Sequence, residues 1–380
     1  MINSADNATG SSEEKRPLSV IDISKKARQK FRGRRYAEAC ELFRMGLDRE
    51  PDNPYLLSGM GDVCRETGDF VEAERCYRQL LESDGNNLFA LRGLGDVCKK
   101  LHRHQEAIRH WKQYLSLRPR DKHVMTRIAD SCKSLLQYDE AEEVYRQILK
   151  FAPRDRFALT GMADLQHRLG HDGLAIRYYE TVLEFDQNEL HTLTIIGKLC
   201  WRLNDFDKAE RYFRRALQVD PQNPYALYGL GNCFRWHHQY AQAIEIWQEI
   251  LKFSEGTQAL HTRMGDAHAH LGQDQGAEAA YLKSVQMGGD PYALTGLVRL
   301  YCERRDWENA MTFFWKLVGN EKDVPLQLEE LNKRFVRAGQ RDILLDFFRH
   351  LLAVANTEHA VVEQITALLK RLAAENSNQV

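Results

Sequence analysis

The sequence has no excess of charge of either sign and no long run of apolar residues. Its 380 residues contain 53 Lys and Arg against 54 Asp and Glu, a formal net charge of −1. This balance argues against a dedicated nucleic-acid binder, because neutralising phosphates requires a basic excess. No apolar stretch approaches the roughly 20 residues of a membrane helix, and the first residues lack the apolar core of a secretory signal. We therefore expect neither a membrane span nor export by the usual route.

Sequence motifs for catalysis are also missing. The sequence contains no G-x-S-x-G, no P-loop and no H-E-x-x-H pattern. Three glycine phrases at 59–62, 93–96 and 229–232 are similar to nucleotide-binding loops. They recur at the period of an internal repeat, however, which favours close packing inside helices. The sequence predicts a protein that is not an enzyme, with no catalytic residues, no cofactor and no metal site.

The most informative feature of the sequence is an internal repeat of 34 residues. Each unit contains a small residue at its eighth position, an alanine twelve positions later and an aromatic residue four positions after that. The alanines are Ala39, Ala73, Ala107, Ala141, Ala175, Ala209, Ala243 and Ala277, and the aromatics are Phe43, Tyr77, Trp111, Tyr145, Tyr179, Phe213, Trp247 and Tyr281. Self-similarity at a fixed period of this length indicates a repeat architecture.

This pattern resembles the tetratricopeptide repeat, which pairs two antiparallel helices, A and B. The resemblance implies an all-α, right-handed superhelical solenoid. The small residue in helix A and the alanine in helix B allow close backbone packing, so we expect Ala141 and Ala209 to be fully buried. We predict a disordered tail at 1–19, nine repeats over 20–324, a degenerate tenth repeat at 325–358 and a capping helix at 359–376.

Glycine and cysteine positions add two expectations. Gly68, Gly170, Asn204 and Gly272 fall between helices A and B, where a residue must tolerate positive φ. Four of the eight cysteines share one repeat position, at a spacing wider than a disulfide permits and unlike that of zinc sites. We expect all eight to be reduced thiols that pack as small hydrophobic groups, which favours a cytoplasmic location.

The resemblance implies that the A helices line a concave groove and that function lies there. The candidate partner-binding residues are Tyr55, Asp62, Arg65, Arg92, Asp96 and Lys99 in the second and third repeats, and Trp201, Tyr225, Tyr228, Asn232, Arg235 and Trp236 in the sixth and seventh. Tyr, Trp and Arg are enriched in binding hot spots. Two alternatives remain open: the Asp and basic residues hold neighbouring repeats together, and the two tryptophans turn inward.

Two functional subtypes of the family are not matched. The carboxylate clamp of chaperone-binding members fails because Tyr228 stands where lysine is needed, and the asparagine ladder of the O-linked sugar transferase is replaced largely by glycines. We expect those glycines, at the sixth position of each repeat, to leave the groove floor open to a ligand backbone.

The predicted function is a non-catalytic scaffold or adaptor that binds a partner protein or peptide segment in the groove. The alternative is a ligand-binding or accessory subunit of a transport or enzyme complex. A third hypothesis, binding of single-stranded RNA on the aromatics, is disfavoured by the net charge and the acidic residues of the groove.

Overall fold

The computed structural model of the protein describes residues 18–319, 324–354 and 360–377. Apart from its last two residues, the predicted N-terminal tail lies outside these ranges. The described residues form helices and turns without any strand, so the prediction of an all-α solenoid of paired helices is confirmed. The chain divides into two compact units, residues 1–182 and 183–380.

The first unit consists of consecutive antiparallel helix pairs. Its helices are α1 (Val20–Arg32), α2 (Tyr36–Leu47), α3 (Pro54–Thr67), α4 (Phe70–Ser83), α5 (Leu88–Lys100), α6 (His104–Leu117), α7 (Lys122–Ser134), α8 (Tyr138–Phe151), α9 (Arg156–Arg168) and α10 (Asp172–Leu183), whose last residue belongs to the second unit. Odd-numbered helices correspond to A and even-numbered helices to B.

The second unit continues the alternation. Its helices are α11 (Leu190–Arg202), α12 (Phe206–Val219), α13 (Pro224–Trp236), α14 (Tyr240–Leu251), α15 (Gln258–His270), α16 (Asp274–Gln286), α17 (Pro291–Glu303), α18 (Trp307–Leu317), α19 (Val324–Arg337), α20 (Arg341–Val354) and α21 (Ala360–Ser377). Helix α21 packs on α19 and α20 and buries Val361 and Ile365 against them. The division into ten repeats and a cap remains a prediction. Across the described helices, none combines the length and hydrophobicity that a membrane span requires.

Short polar side chains set the start of most A helices. The Asn53 side chain accepts hydrogen bonds from the backbone N–H groups of Tyr55 and Leu56 at 3.1 and 3.3 Å. Asn87, Asp121 and Asn223 cap later A helices in the same way. Such caps satisfy backbone donors that the first helical turn leaves unpaired, which is why the 34-residue period fixes where the A helices begin.

One of the two residues that follow each A helix from α1 to α19 adopts a left-handed conformation. Gly68, Gly170, Asn204 and Gly272 have φ values of 88°, 82°, 60° and 66°, as expected. The same position is left-handed even where the residue is larger, as at Leu136, where φ is 60°. There the next residue, Gln137, donates its N–H to the carbonyl of Cys132 at 2.9 Å, which closes the helix end. The hairpin geometry therefore dictates this conformation whatever side chain is present.

Replacing Leu136 by glycine should stabilise the protein. A left-handed conformation costs an L-residue about 1–2 kcal/mol, and the extra freedom of glycine in the unfolded chain returns about 0.5–1 kcal/mol of that. Because the Leu136 side chain is 70% exposed, little packing is lost. We expect a net gain of about 0.5–1 kcal/mol in urea unfolding. Leu136→Ala is the matched control, since it shortens the side chain without relieving φ; an equal gain in both variants would contradict this explanation.

The core of each unit is built around the repeated alanines and aromatics. Ala141 and Ala209 are fully buried, as predicted, and so is the Tyr77 ring. A Cβ atom placed on Gly61 or on Gly93 would lie 2.7 Å from Tyr77 Cε1, so these two glycines hold the ring between consecutive A helices. The expectation that the sixth-position glycines leave the groove floor open is wrong at Gly59, Gly93 and Gly161, which are buried against the aromatic ring of the preceding repeat.

All eight cysteines are free thiols, and all but Cys40 are buried. Burial raises the pKa values of Cys64 and Cys76 to about 12. At neutral pH these thiols are protonated and pack as small apolar groups.

Candidate binding surface

In the first unit, aspartates on the A helices accept hydrogen bonds from tyrosines on the B helices. The Tyr77 hydroxyl donates to Asp62 at 2.8 Å and the Tyr145 hydroxyl donates to Asp130 at 2.7 Å. Burial, followed by the nearby carboxylate charge, raises the pKa of each tyrosine above its usual range. The aspartates at the ninth position of these repeats therefore contribute to helix packing.

Basic residues then link the aspartates of neighbouring repeats. Arg65 lies 3.5 Å from Asp62 and 3.6 Å from Asp96, and Lys99 lies 4.0 Å from Asp130. Asp96 also accepts two hydrogen bonds from Arg127 of the next repeat, at 2.7 and 2.9 Å. Much of the candidate set in the second and third repeats thus forms an inter-repeat charge network, in line with the first of the two alternatives.

Two further candidates of these repeats are exposed. Tyr55 is 67% exposed and has the Arg28 guanidinium 5.8 Å from its ring centre. Arg92 is also exposed; burial raises the pKa of Asp96, and the nearby charge of Arg92 offsets part of that rise. These two side chains are therefore accessible at the surface of the first unit.

The type of residue at the ninth position, on helix A, correlates with the type of aromatic residue on helix B of the same repeat. Where helix B carries tyrosine, the ninth residue is aspartate. Where helix B carries tryptophan, which has no hydroxyl, the ninth residue binds an arginine of the next repeat: Asp96 binds Arg127, and Asn232 binds Arg263 at 2.5 Å. Where helix B carries phenylalanine the ninth residue is basic, and the pairs are Phe43 with Arg28, Phe213 with Lys198 and Phe314 with Arg299.

A cavity of about 590 Å³ lies between α11, α13 and α15 of the second unit. It is lined by His191, Thr194, Ile195, Lys198, Trp201, Phe213, Tyr225, Tyr228, Gly229, Asn232 and Arg263. Four of the candidate residues are among them: Trp201, Tyr225, Tyr228 and Asn232.

The cavity wall combines aromatic rings with positive charge. Tyr225 is 77% exposed. The Arg263 guanidinium lies 4.9 Å from the centre of the Tyr228 ring, a cation–π contact. Lys198 is exposed at the wall. None of the described lining residues carries a carboxylate.

The other two candidates of this region, Arg235 and Trp236, do not line the cavity. The Trp236 ring packs on Phe206 of α12 with centres 4.2 Å apart, and its centre is 6.3 Å from that of Trp201. Trp236 is 52% exposed, but its ring forms an aromatic cluster with Phe206 and Trp201. Trp236 is therefore partly a packing residue, in line with the second of the two alternatives.

Arg235 is half-buried beside the cavity. Its Nε atom is buried and has no hydrogen-bond partner among the described residues. Burial lowers the pKa of Arg235, and the like charge of Arg263 lowers it further. A second guanidinium thus adds to the positive charge near Arg263.

The residues that line the cavity but were not among the candidates from the sequence include Ile195, Lys198 and Arg263. Ile195 and Arg263 occupy the sixth position, where most repeats have glycine, and Lys198 interrupts the aspartates of the ninth position. These departures from the repeat pattern were the available signal.

Family comparisons agree with the paired helices. Three family models, each described as tetratricopeptide repeat, match residues 52–120, 123–155 and 201–261. Over these ranges the chain consists of tetratricopeptide repeats. Repeats of this kind build extended binding surfaces, so tetratricopeptide repeat membership indicates protein–protein interaction as the general class of function.

Solved structures of TPR proteins are similar to this chain at low sequence identity. The C-terminal part of a TPR repeat-containing protein from Cytophaga hutchinsonii is 20% identical with a TM-score of 0.52, over 59% of this chain and 93% of that one. PilW, described as a widely conserved type IV pilus biogenesis factor, is 17% identical with a TM-score of 0.48, over 55% and 96%. YrrB, described as a TPR protein with an unusual peptide-binding site, is 14% identical with a TM-score of 0.40, over 46% and 91%. A search of curated proteins gives no significant match.

Proposed function

We propose that this protein is a non-catalytic scaffold that holds a segment of a partner protein in the cavity between α11, α13 and α15. The observation that carries the proposal is that three aromatic side chains, Trp201, Tyr225 and Tyr228, line the same cavity. Aromatic side chains bury about 150–250 Å² each when they are covered, and they dominate interface energetics. The eight free thiols support a cytoplasmic location as part of the same proposal.

Tyr225 is the clearest of these contact residues. Its ring is 77% exposed, and its hydroxyl has no hydrogen-bond partner among the described residues. A side chain with these properties contributes little to the stability of the free protein. A docked segment would cover the ring against Tyr228 and Ile195, which lie on the same wall.

The alternative, a ligand-binding or accessory subunit, has one specific observation in its favour. The cavity volume of about 590 Å³ falls within the range of about 300–1,000 Å³ that is typical of small-molecule sites. In that case the cavity would take a small molecule instead of a protein segment.

A photo-crosslinking amino acid at Tyr225 distinguishes the two functions. We expect crosslinks in cells to join this position to one defined segment of a partner protein, mapped by mass spectrometry. The same group at Phe253, which is 44% exposed after α14, is the control. With the purified partner, Tyr225→Ala should weaken binding by about 1–2 kcal/mol and leave thermal melting unchanged. Equal crosslinking from both positions, or unaltered affinity of Tyr225→Ala, would contradict the proposal.

A further inference from the structure

We propose that the cavity between α11, α13 and α15 selects an acidic segment, in which Asp or Glu side chains bind Lys198 and Arg263 while an adjacent aromatic or aliphatic side chain packs on Trp201 and Tyr225. This inference rests on the proposed function and names the chemistry of its partner.

No ion pair with a described residue neutralises the positive charge of Arg263. Its hydrogen bond goes to the neutral amide of Asn232 at 2.5 Å, and its guanidinium lies over the Tyr228 ring. No carboxylate of the described residues forms an ion pair with it. The contrast is Arg127, at the same position of another repeat, which binds Asp96 at 2.7 Å. Arg263 is therefore held in a fixed orientation and keeps its capacity for a carboxylate.

The second positive charge at the cavity is that of Lys198. It occupies the position at which Asp62, Asp130 and Asp266 each accept a hydrogen bond from a tyrosine of helix B. In this repeat helix B carries Phe213, which has no hydroxyl to donate. The Lys198 ammonium is exposed, and it has no partner among the described residues.

Acidic side chains are missing from the described lining of the cavity. In the two repeats that form most of it, the ninth positions hold Lys198 and Asn232, and the described lining contains no Asp or Glu. The half-buried guanidinium of Arg235 adds positive charge beside Arg263. Opposite charges across an interface raise both association rate and specificity, so the complement of this wall is a carboxylate.

An acidic protein segment fits this cavity better than a nucleic acid does, although the phosphates of a nucleic acid are also anionic. Only two lining residues carry a fixed positive charge. Acidic residues nearly equal basic ones over the whole chain. A nucleic-acid site needs a longer basic track. One or two carboxylates beside an apolar group fit the cavity better.

Selection from a display library of random linear peptides tests the proposal on the full-length protein. We expect the wild-type protein to enrich peptides that place Asp or Glu next to an aromatic or aliphatic residue. For a synthetic copy of one selected peptide, Lys198→Glu should raise Kd at least about tenfold, which corresponds to about 1.4 kcal/mol. The same peptide with Lys in place of its acidic residue should bind the Lys198→Glu protein better than it binds the wild type. Lys283→Glu, the same charge change at an exposed site on α16, is the matched control and should leave Kd unchanged.

The outcomes separate this inference from the proposed function. Enriched peptides that need Tyr225 but carry no acidic residue would overturn the inference and leave the proposed function standing. Displacement of the peptide by a single-stranded RNA homopolymer at equal concentration would also overturn it. Enriched peptides that bind equally well to Tyr225→Ala, or a selection without enrichment, would contradict the proposed function itself.

Discussion

Gly93→Ala should destabilise the protein by about 1–3 kcal/mol, although alanine is the better helix former. Gly93 lies in α5, and a Cβ atom there would be 2.7 Å from both Cε1 and Cε2 of Tyr77. The ring cannot retreat easily, because Tyr77 is fully buried, packs against Gly61 on its other side and donates a hydrogen bond to Asp62. Urea unfolding of the variant measures the loss.

The matched control for this variant is Gly173→Ala. Gly173 lies in α10, is exposed, and a Cβ atom there would meet nothing within 4 Å. The same chemical change should therefore leave stability unchanged or raise it by up to about 1 kcal/mol. If the two variants shifted the unfolding midpoint alike, the tight contact with Tyr77 would not be what requires glycine.

Ala209→Leu should cost about 1–3 kcal/mol through overpacking of the second unit. Ala209 is fully buried in α12, and so is Ala216 two turns later on the same helix. Interiors of this kind are close-packed, so three additional carbon atoms force neighbouring side chains out of their preferred rotamers. Because a repeat array is coupled mainly between neighbours, hydrogen exchange should increase first in α11 to α14.

Ala241→Leu tests whether burial is the cause of that loss. Ala241 lies in α14 and is exposed, so a leucine there should change stability by no more than about 0.5 kcal/mol. A uniform rise in exchange from α11 to α20 in Ala209→Leu would contradict the nearest-neighbour description of the array.

Most of the fold could be predicted from the sequence because its determinants are local and periodic. A cap such as Asn53, a packing pair such as Ala73 with Tyr77 and a turn residue such as Gly68 each occupy a fixed place in the repeat. A single sequence states them many times over, so an exception at one repeat, such as Leu136 at a left-handed position, does not obscure the pattern.

The binding surface was less predictable because it depends on which side chains satisfy one another. In the sequence, Arg65 and Arg263 are both arginines of A helices, and only the structure shows that Arg65 pairs with two aspartates whereas Arg263 binds a neutral amide. The position of Trp236 on α13 indicates a groove residue, yet its ring packs on Phe206 of α12, the B helix of the preceding pair. Contacts of this kind join positions that the period alone does not connect.

The match between helix B aromatics and A-helix polar residues means that the repeats are not interchangeable modules. The repeat with Trp111 is followed by one that supplies Arg127 to Asp96, and the repeat with Trp247 by one that supplies Arg263 to Asn232. Excising the repeat that contains Arg127 would place Gly161 of the following repeat where that guanidinium had been. Side-chain pairs between neighbouring repeats therefore depend on the order of the repeats. This dependence restricts duplication, deletion and shuffling of single repeats far more than the uniform backbone suggests.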